Sequence, residues 1–262
     1  MPIPESSRVI YANNPLKEVI CQLKYPTVLR IESDVPAAFQ EAIRGVYPIY
    51  KEPQPSALPE GLPTEMTRLI GSTFPLASPK VHEFATEDGI WKLTLSRDFI
   101  ALSCAEYERW EHFLNHFHGP FNTLLTEYRP AFFLRVGLRY QNLIRRKGLG
   151  LENVPWNRLL RPHIAGPLNS EIAEDVDEIL ERVSFQLPGG HGKVTMVHGL
   201  VQEQPGGEVS YLIDNDFYIE GRISVQDATA KLNYFNGYSG RVFRWSITDI
   251  LDGAMQPRVI QR

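Results

Sequence analysis

RPAFFLRVGLRYQNLIRR, residues 129–146, divides into two sets when every second side chain is taken together. Phe132, Leu134, Val136, Leu138, Tyr140 and Ile144 share one face; Arg135, Gly137, Arg139, Gln141 and Arg145 share the other. Period-two alternation over this length fits a half-buried strand, with one side on a core and one side wet. The stretch is long for a strand and sits near the middle of the chain, where a central strand joining two halves belongs.

Upstream, LKEVICQLKYP (residues 16–26) alternates in the same way, with Val19, Cys21, Leu23 and Tyr25 on one face and Glu18, Ile20, Gln22 and Lys24 on the other. Asp34 and Pro36 predict a helix starting near Val35, with Ala38, Phe39, Ala42, Ile43 and Val46 as its apolar stripe and Pro48 as its stop. The proline-rich run from Lys51 to Glu65 reads as a long loop. Strands are expected at Pro79–Thr86, Ile90–Ser96 and Phe99–Cys104, joined by hairpin turns. A helix follows over Glu106–Tyr128, its stripe running from Trp110 through Phe113, Phe117 and Phe121, with a kink or break at Gly119-Pro120.

Downstream the order repeats. A loop covers 147–169, a short helix begins at Ser170 on Ile172, Val176, Ile179 and Leu180, and strands follow at Arg182–Leu187, Lys193–Gln202 and Glu208–Asp214. A last helix spans Ala228–Leu251, with Leu232, Phe235, Val242, Phe243, Ile247 and Ile250 inward. Each half therefore reads strand, helix, antiparallel strands, long helix, and Leu23-Lys24-Tyr25 echoes Leu138-Arg139-Tyr140. This predicts an α+β fold: one domain of two pseudo-repeat halves, 1–128 and 129–262, forming one curved antiparallel sheet with helices on one face.

That order resembles the duplicated saddle of the TATA-binding-protein-like group, a likeness of topology and not of motif. The phrases PLKEVICQLKYP, RVGLRYQNLI and YLIDNDFYIEG, in this order, also resemble a sporadically distributed family of uncharacterised bacterial proteins of about this length. The chain differs from that family in its last helix, where Asn236-Gly237 and Ser239-Gly240 stand. The family offers no catalytic residues to carry over. Its patchy occurrence implies a mobile accessory role, as in defence or toxin–antitoxin systems.

Over 262 residues, an apolar content of 43% and a charged content of 22% are ordinary for a globular protein. A net charge of −4 supplies no general attraction to phosphates, so a nucleic-acid role would need a local basic patch. Cys21 and Cys104 both lie in apolar strand-like runs and are expected as buried thiols. The opening residues lack a basic and then apolar leader, and no run approaches the roughly 20 apolar residues of a membrane span. A cytoplasmic location without membrane contact is expected.

Candidate chemistry is sparse. His112 and His116, four apart, fall on the helix face opposite Phe113 and Phe117, and no third ligand is forced near them. Asp214-Asn215-Asp216 reads as a turn between strands. Gly189-Gly190-His191-Gly192-Lys193 lacks phosphate-loop spacing and reads as a hairpin. No catalytic set, cofactor or metal is expected; an enzyme built from His82, Glu83 and the Asp214–Asp216 pair has no spacing in its favour.

The open face of the sheet is the candidate site. Gln22 and Lys24 would join Arg135, Arg139, Gln141 and Arg145 there, a positive strip without obvious acidic partners on the same strands. The expected function is a non-catalytic binding or interaction protein, using this open face or the sheet's edge to hold a protein partner or a second copy. The alternative is a nucleic-acid binder that sets Lys24, Arg135, Arg139 and Arg145 on phosphates, with Tyr140 nearby.

Overall fold

A computed structural model describes residues 3–51 and 80–260. The loop expected from Lys51 to Glu65 lies, beyond its first residue, outside the described residues. The fold is α+β, as the sequence predicts, with a nine-stranded antiparallel sheet. Its strands are β2 (Leu16–Lys24), β3 (Ile49–Lys51), β4 (Val81–Ala85), β5 (Trp91–Ser96), β6 (Phe99–Cys104), β7 (Phe133–Ile144), β8 (Leu180–Gln186), β9 (Lys193–Gln202) and β10 (Val209–Ile223). From β2 to one edge the order is β6, β5, β4, β3; from β7 to the other it is β10, β9, β8. A separate two-stranded ribbon pairs β1 (Val9–Tyr11) with β11 (Pro257–Val259), neither of which alternation in the sequence had marked.

By compactness the chain forms two interleaved units, Glu18–Arg139 with Tyr218–Leu232, and Tyr140–Phe217 with Met1–Lys17 and Asn233–Arg262. We call them the 18–139 unit and the 140–217 unit.

In the 18–139 unit, α1 (Leu29–Ser33) and α2 (Ala37–Ile43) follow β2, and α3 (Trp110–Glu127) follows β6. The hydrophobic face of the sheet is continuous: Val19, Cys21 and Leu23 of β2, Ile100, Leu102 and Cys104 of β6, and Leu93 and Leu95 of β5 are all fully buried. Helix side chains meet that face as aromatics. Phe39 of α2 lies 5.7 Å from Phe84, Phe113 of α3 lies 5.5 Å from Trp91, and Phe121 lies 6.1 Å from Phe133. Of the kink or break expected at Gly119-Pro120 the break is absent, since α3 continues through it.

The start of β7 departs from the expected alternation. Phe133 is fully buried, packed between Tyr25 and Phe121, while Leu134 is 45% exposed. Val136 and Leu138 then bury as expected. The phase therefore slips between Phe133 and Val136, and the rings of Tyr25 and Phe121 are what Phe133 turns inward to meet.

In the 140–217 unit, β8 and β9 form a hairpin through Gly189 and Gly190, both in the left-handed region that glycine enters without strain. The helix expected at Ser170 is absent. Only a 3-10 turn, Ala173–Asp175, forms there; Ile179 is buried, but Ile172 at the other end of the stripe is left 57% exposed. Helical turns α4 (Trp156–Leu159) and α5 (Pro162–Ala165) instead appear in the expected loop. The Asp214–Asp216 turn is also overturned. β10 continues straight through it, with Asp214 and Asn215 buried, because Asn142 of β7 donates to the carbonyl of Ile213 at 3.2 Å and holds the strand in the sheet.

The last helix divides. α6 (Ala228–Ser246) ends where the carbonyl of Ser246 accepts from the Arg161 amide, and α7 (Asp249–Ala254) starts afresh. Leu251 is buried while Ile250, expected inward, is 42% exposed. No described helix is long and apolar enough to cross a membrane.

Candidate binding face

Paired residues on adjacent antiparallel strands point to the same face. In register, Gln22 of β2 faces Ala101 of β6, Ala101 faces Thr94 of β5, Thr94 faces Glu83 of β4, and Glu83 faces Lys51 of β3. These residues make one row across the 18–139 unit, on the side opposite its buried Leu23, Leu102 and Leu93. Arg135 extends the row on β7: its Nη1 donates to Oε1 of Gln22 at 3.2 Å. At about 4.8 Å per strand, six strands carry the row about 24 Å.

Arg135 is built in. Its guanidinium lies 4.6 Å from the ring centroid of Tyr218, and the side chain is only 6% exposed. The guanidinium carbon lies 2.8 Å from where a Cβ on Gly137 would be, so the glycine is the space that lets the arginine lie flat. Thr94, Ala101 and Ser103 beside it are half-buried, as are Glu18, Ile20 and Lys24, so the face has a mixed apolar and polar character.

In the 140–217 unit, Nε2 of Gln141 donates to Asp214 at 3.4 Å, both groups buried. Arg145 is exposed and donates through Nε to Glu203 at 2.9 Å, and Lys17 donates to the other oxygen at 3.0 Å. Burial alone would raise the Glu203 carboxyl, but hydrogen bonds from Arg145 and Lys17 hold it below its ordinary value.

The six predicted residues thus fall into two groups. Gln22, Lys24, Arg135 and Arg139 belong to the 18–139 unit, and Gln141 and Arg145 to the 140–217 unit. The expectation of a wet face is corrected, since Gln22, Arg135 and Gln141 are buried. Strands β2 and β7 were expected to bring no acidic partners of their own, and the carboxylate that meets Arg145 comes from beyond β9. Glu203 serves Arg145, and the half-buried Lys24 and Arg139 are not without partners either. Long polar side chains on neighbouring strands lie down upon each other and shield one another, an effect that alternation along a single strand does not reveal.

The other candidates separate. His82 is buried on the helix side, its Nδ1 3.0 Å from the Tyr50 hydroxyl, whereas Glu83 faces the opposite way. His116 is not on a wet face as expected. It stacks on Trp91 with ring centroids 3.9 Å apart, and burial, with His112 beside it, lowers its pKa. His112 and His116 line a shallow cavity of about 350 Å³ with Tyr47 and Pro120. Among the described residues no three histidine, cysteine or acidic side chains converge as a metal site. Cys21 and Cys104 are buried thiols, as predicted; burial pushes Cys21 well above the ordinary thiol range and Cys104 up to about 11, so neither is a nucleophile at neutral pH.

Sequence reasoning missed Glu203 and Tyr218, which act only through tertiary pairing. It also missed a cleft in the 140–217 unit lined by Arg161, Arg241 and Arg244, although Arg241 and Arg244 lie one helical turn apart beside Trp245. No protein-family profile and no curated protein matches the chain.

Proposed function

We propose that this protein is a non-catalytic binding module whose half-exposed sheet face in the 18–139 unit holds a protein partner. The observation that carries the reading is that cations of the row are already engaged by the protein itself. Arg135 is held by Gln22 and Tyr218, and Lys51 by Glu83 at 3.6 Å. Phosphate binding draws on free cations that release counterions, and such a row offers few. A protein interface wants the opposite: a flat centre with small and apolar residues such as Ile20 and Ala101, a fixed arginine, and charges such as Glu18 and Lys92 at the rim.

A face about 24 Å by 20 Å covers on the order of 500 Å² per partner, which fits a transient complex better than an obligate one. The likeness of strand order, β2-β6-β5-β4 beside β7-β10-β9-β8, supports an internal duplication in which Leu23 matches Leu138. An accessory role in a mobile bacterial defence or toxin–antitoxin system agrees with a binding module and rests on the family resemblance alone.

The test is capture from native lysate of the source organism by wild type and by a Thr94→Glu, Ser103→Glu variant, with DNA and RNA binding measured in parallel across salt concentration. Both substitutions are on half-exposed positions, so the fold should survive, which circular dichroism checks. The expected result is a protein captured by wild type and lost by the variant. Capture that persists undiminished, or nucleic-acid binding that falls steeply with salt, overturns the reading.

A further inference from the structure

The 140–217 unit contains a cleft of about 450 Å³, independent of the sheet face. Arg241 and Arg244 reach it from one turn of α6, Arg161 and His163 from the start of α5, and Trp245 forms a wall with His163, their rings 3.9 Å apart. Burial lowers the His163 pKa, so at neutral pH this wall is uncharged.

The acceptors that meet these cations are not alike. Arg161 is matched by fixed groups of the helical region: its Nε donates to the Ile247 carbonyl at 2.9 Å and its Nη2 to Asp249 at 2.9 Å. Arg241 and Arg244 are met from the segment preceding β1. Nη2 of Arg244 donates to the Ser6 hydroxyl and to the Ser7 carbonyl, the latter at 2.7 Å. Nη2 of Arg241 lies 3.4 Å from the Glu5 carboxylate, longer than a good charge-assisted bond, and that glutamate is 89% exposed. The nearby Asp252 carboxylate accepts from Tyr11 at 2.6 Å. Arg241 also lies over the Tyr238 ring, 5.1 Å from its centroid, and Arg244 meets the Tyr11 hydroxyl, so two like charges one helical turn apart are served by neutral groups and one loosely held carboxylate.

We propose that this cleft binds a small phosphate ester, and that Glu5, Ser6 and Ser7 are a built-in stand-in which the ligand displaces from Arg241 and Arg244. Two planar guanidinium forks present more donors than one carboxylate accepts in good geometry, whereas the terminal oxygens of a phosphate can be shared between both. The cleft is within the size range of small-molecule sites, and the His163–Trp245 wall suits an apolar or aromatic body attached to the phosphate. Competition in cis follows from the geometry: the ligand binds only the fraction of molecules in which the stand-in has left, so weakening the stand-in raises apparent affinity.

The test is calorimetric titration of the full chain with phenyl phosphate, with inorganic phosphate and benzoate as separate arms. Phenyl phosphate should bind, more tightly than either of the others, and Glu5→Ala with Ser6→Ala should tighten it by about threefold or more. Arg241→Gln with Arg244→Gln should weaken it on the order of tenfold to a hundredfold, and Arg244→Lys, which keeps the charge without the fork, should weaken it as well. The Glu5 and Ser6 variant alters no core residue and so stays interpretable if the arginine variants fail to fold. No binding of phenyl phosphate to either wild type or the Glu5 and Ser6 variant would overturn the proposal. So would equal binding of benzoate, affinity untouched by the arginine changes, or affinity that does not rise when the stand-in is removed.

Discussion

Replacing Gly137 by alanine tests whether Arg135 is a fixed part of the sheet. In an ordinary strand this change stabilises by about 0.5–1 kcal/mol, because glycine loses more freedom on folding. Here the new methyl would sit 2.8 Å from the guanidinium carbon, so the Arg135 guanidinium must shift from its place. That shift forfeits a charge-assisted hydrogen bond to Gln22, about 1.5–3 kcal/mol, and the contact with Tyr218, about 0.5–2 kcal/mol. Gln22, 8% exposed, is left with a buried oxygen to satisfy. The net expectation is a loss of about 2–3 kcal/mol. Urea unfolding at unchanged m-value measures it, and a double-mutant cycle with Arg135→Ala isolates the cause. Once the arginine is gone, Gly137→Ala should be neutral or stabilising. A single variant within about 0.5 kcal/mol of wild type, or an equal cost in both backgrounds, would refute the reasoning.

The phase slip in β7 predicts that Phe133→Ala costs about 3–5 kcal/mol and Leu138→Ala about 2–5 kcal/mol, while Leu134→Ala stays below about 1 kcal/mol. Equal costs for Phe133→Ala and Leu134→Ala in the same unfolding assay would contradict the burial pattern. His198 supplies a pH dependence: burial lowers its pKa to about 4, its Nδ1 pairs with Tyr211 at 2.8 Å, and its Nε2 has no hydrogen-bond partner, with Glu181 3.7 Å away. The unfolded chain, with an ordinary pKa near 6.5, binds the proton more readily, so stability should fall as pH drops from about 6.5 to about 4, by up to about 3 kcal/mol. His198→Gln should flatten that slope in urea midpoints measured across the window, and an unchanged slope would rule out His198 as its source.

Local chemistry made much of the architecture legible. Strands β2, β5, β6 and β9 lie where alternation and turn residues put them; in β2, β5 and β6 a buried apolar face fixes the phase, whereas β9 is buried on both faces. α3 was readable from its aromatic stripe, and the hairpin at Gly189-Gly190 from residues that tolerate the left-handed backbone.

Elsewhere the sequence pattern was answered by neighbours far along the chain. The stripe after Ser170 has helical spacing, but a helix that short needs a surface to bury its stripe, and Ile172 is left exposed. Asp214-Asn215-Asp216 has turn composition, yet pairing with β7 outweighs local preference and keeps it a strand. The candidate face divides the same way. That Gln22, Arg135 and Gln141 point away from the apolar set followed from period two alone. Whether they meet water or one another depended on which strands lie side by side, and the packing of Arg135 between Gln22 and Tyr218 buries what alternation had left wet. The arginine cleft lay wholly beyond the sequence, since the segment preceding β1 meets α6 more than 230 residues later, and contacts at that separation carry no local periodicity to betray them.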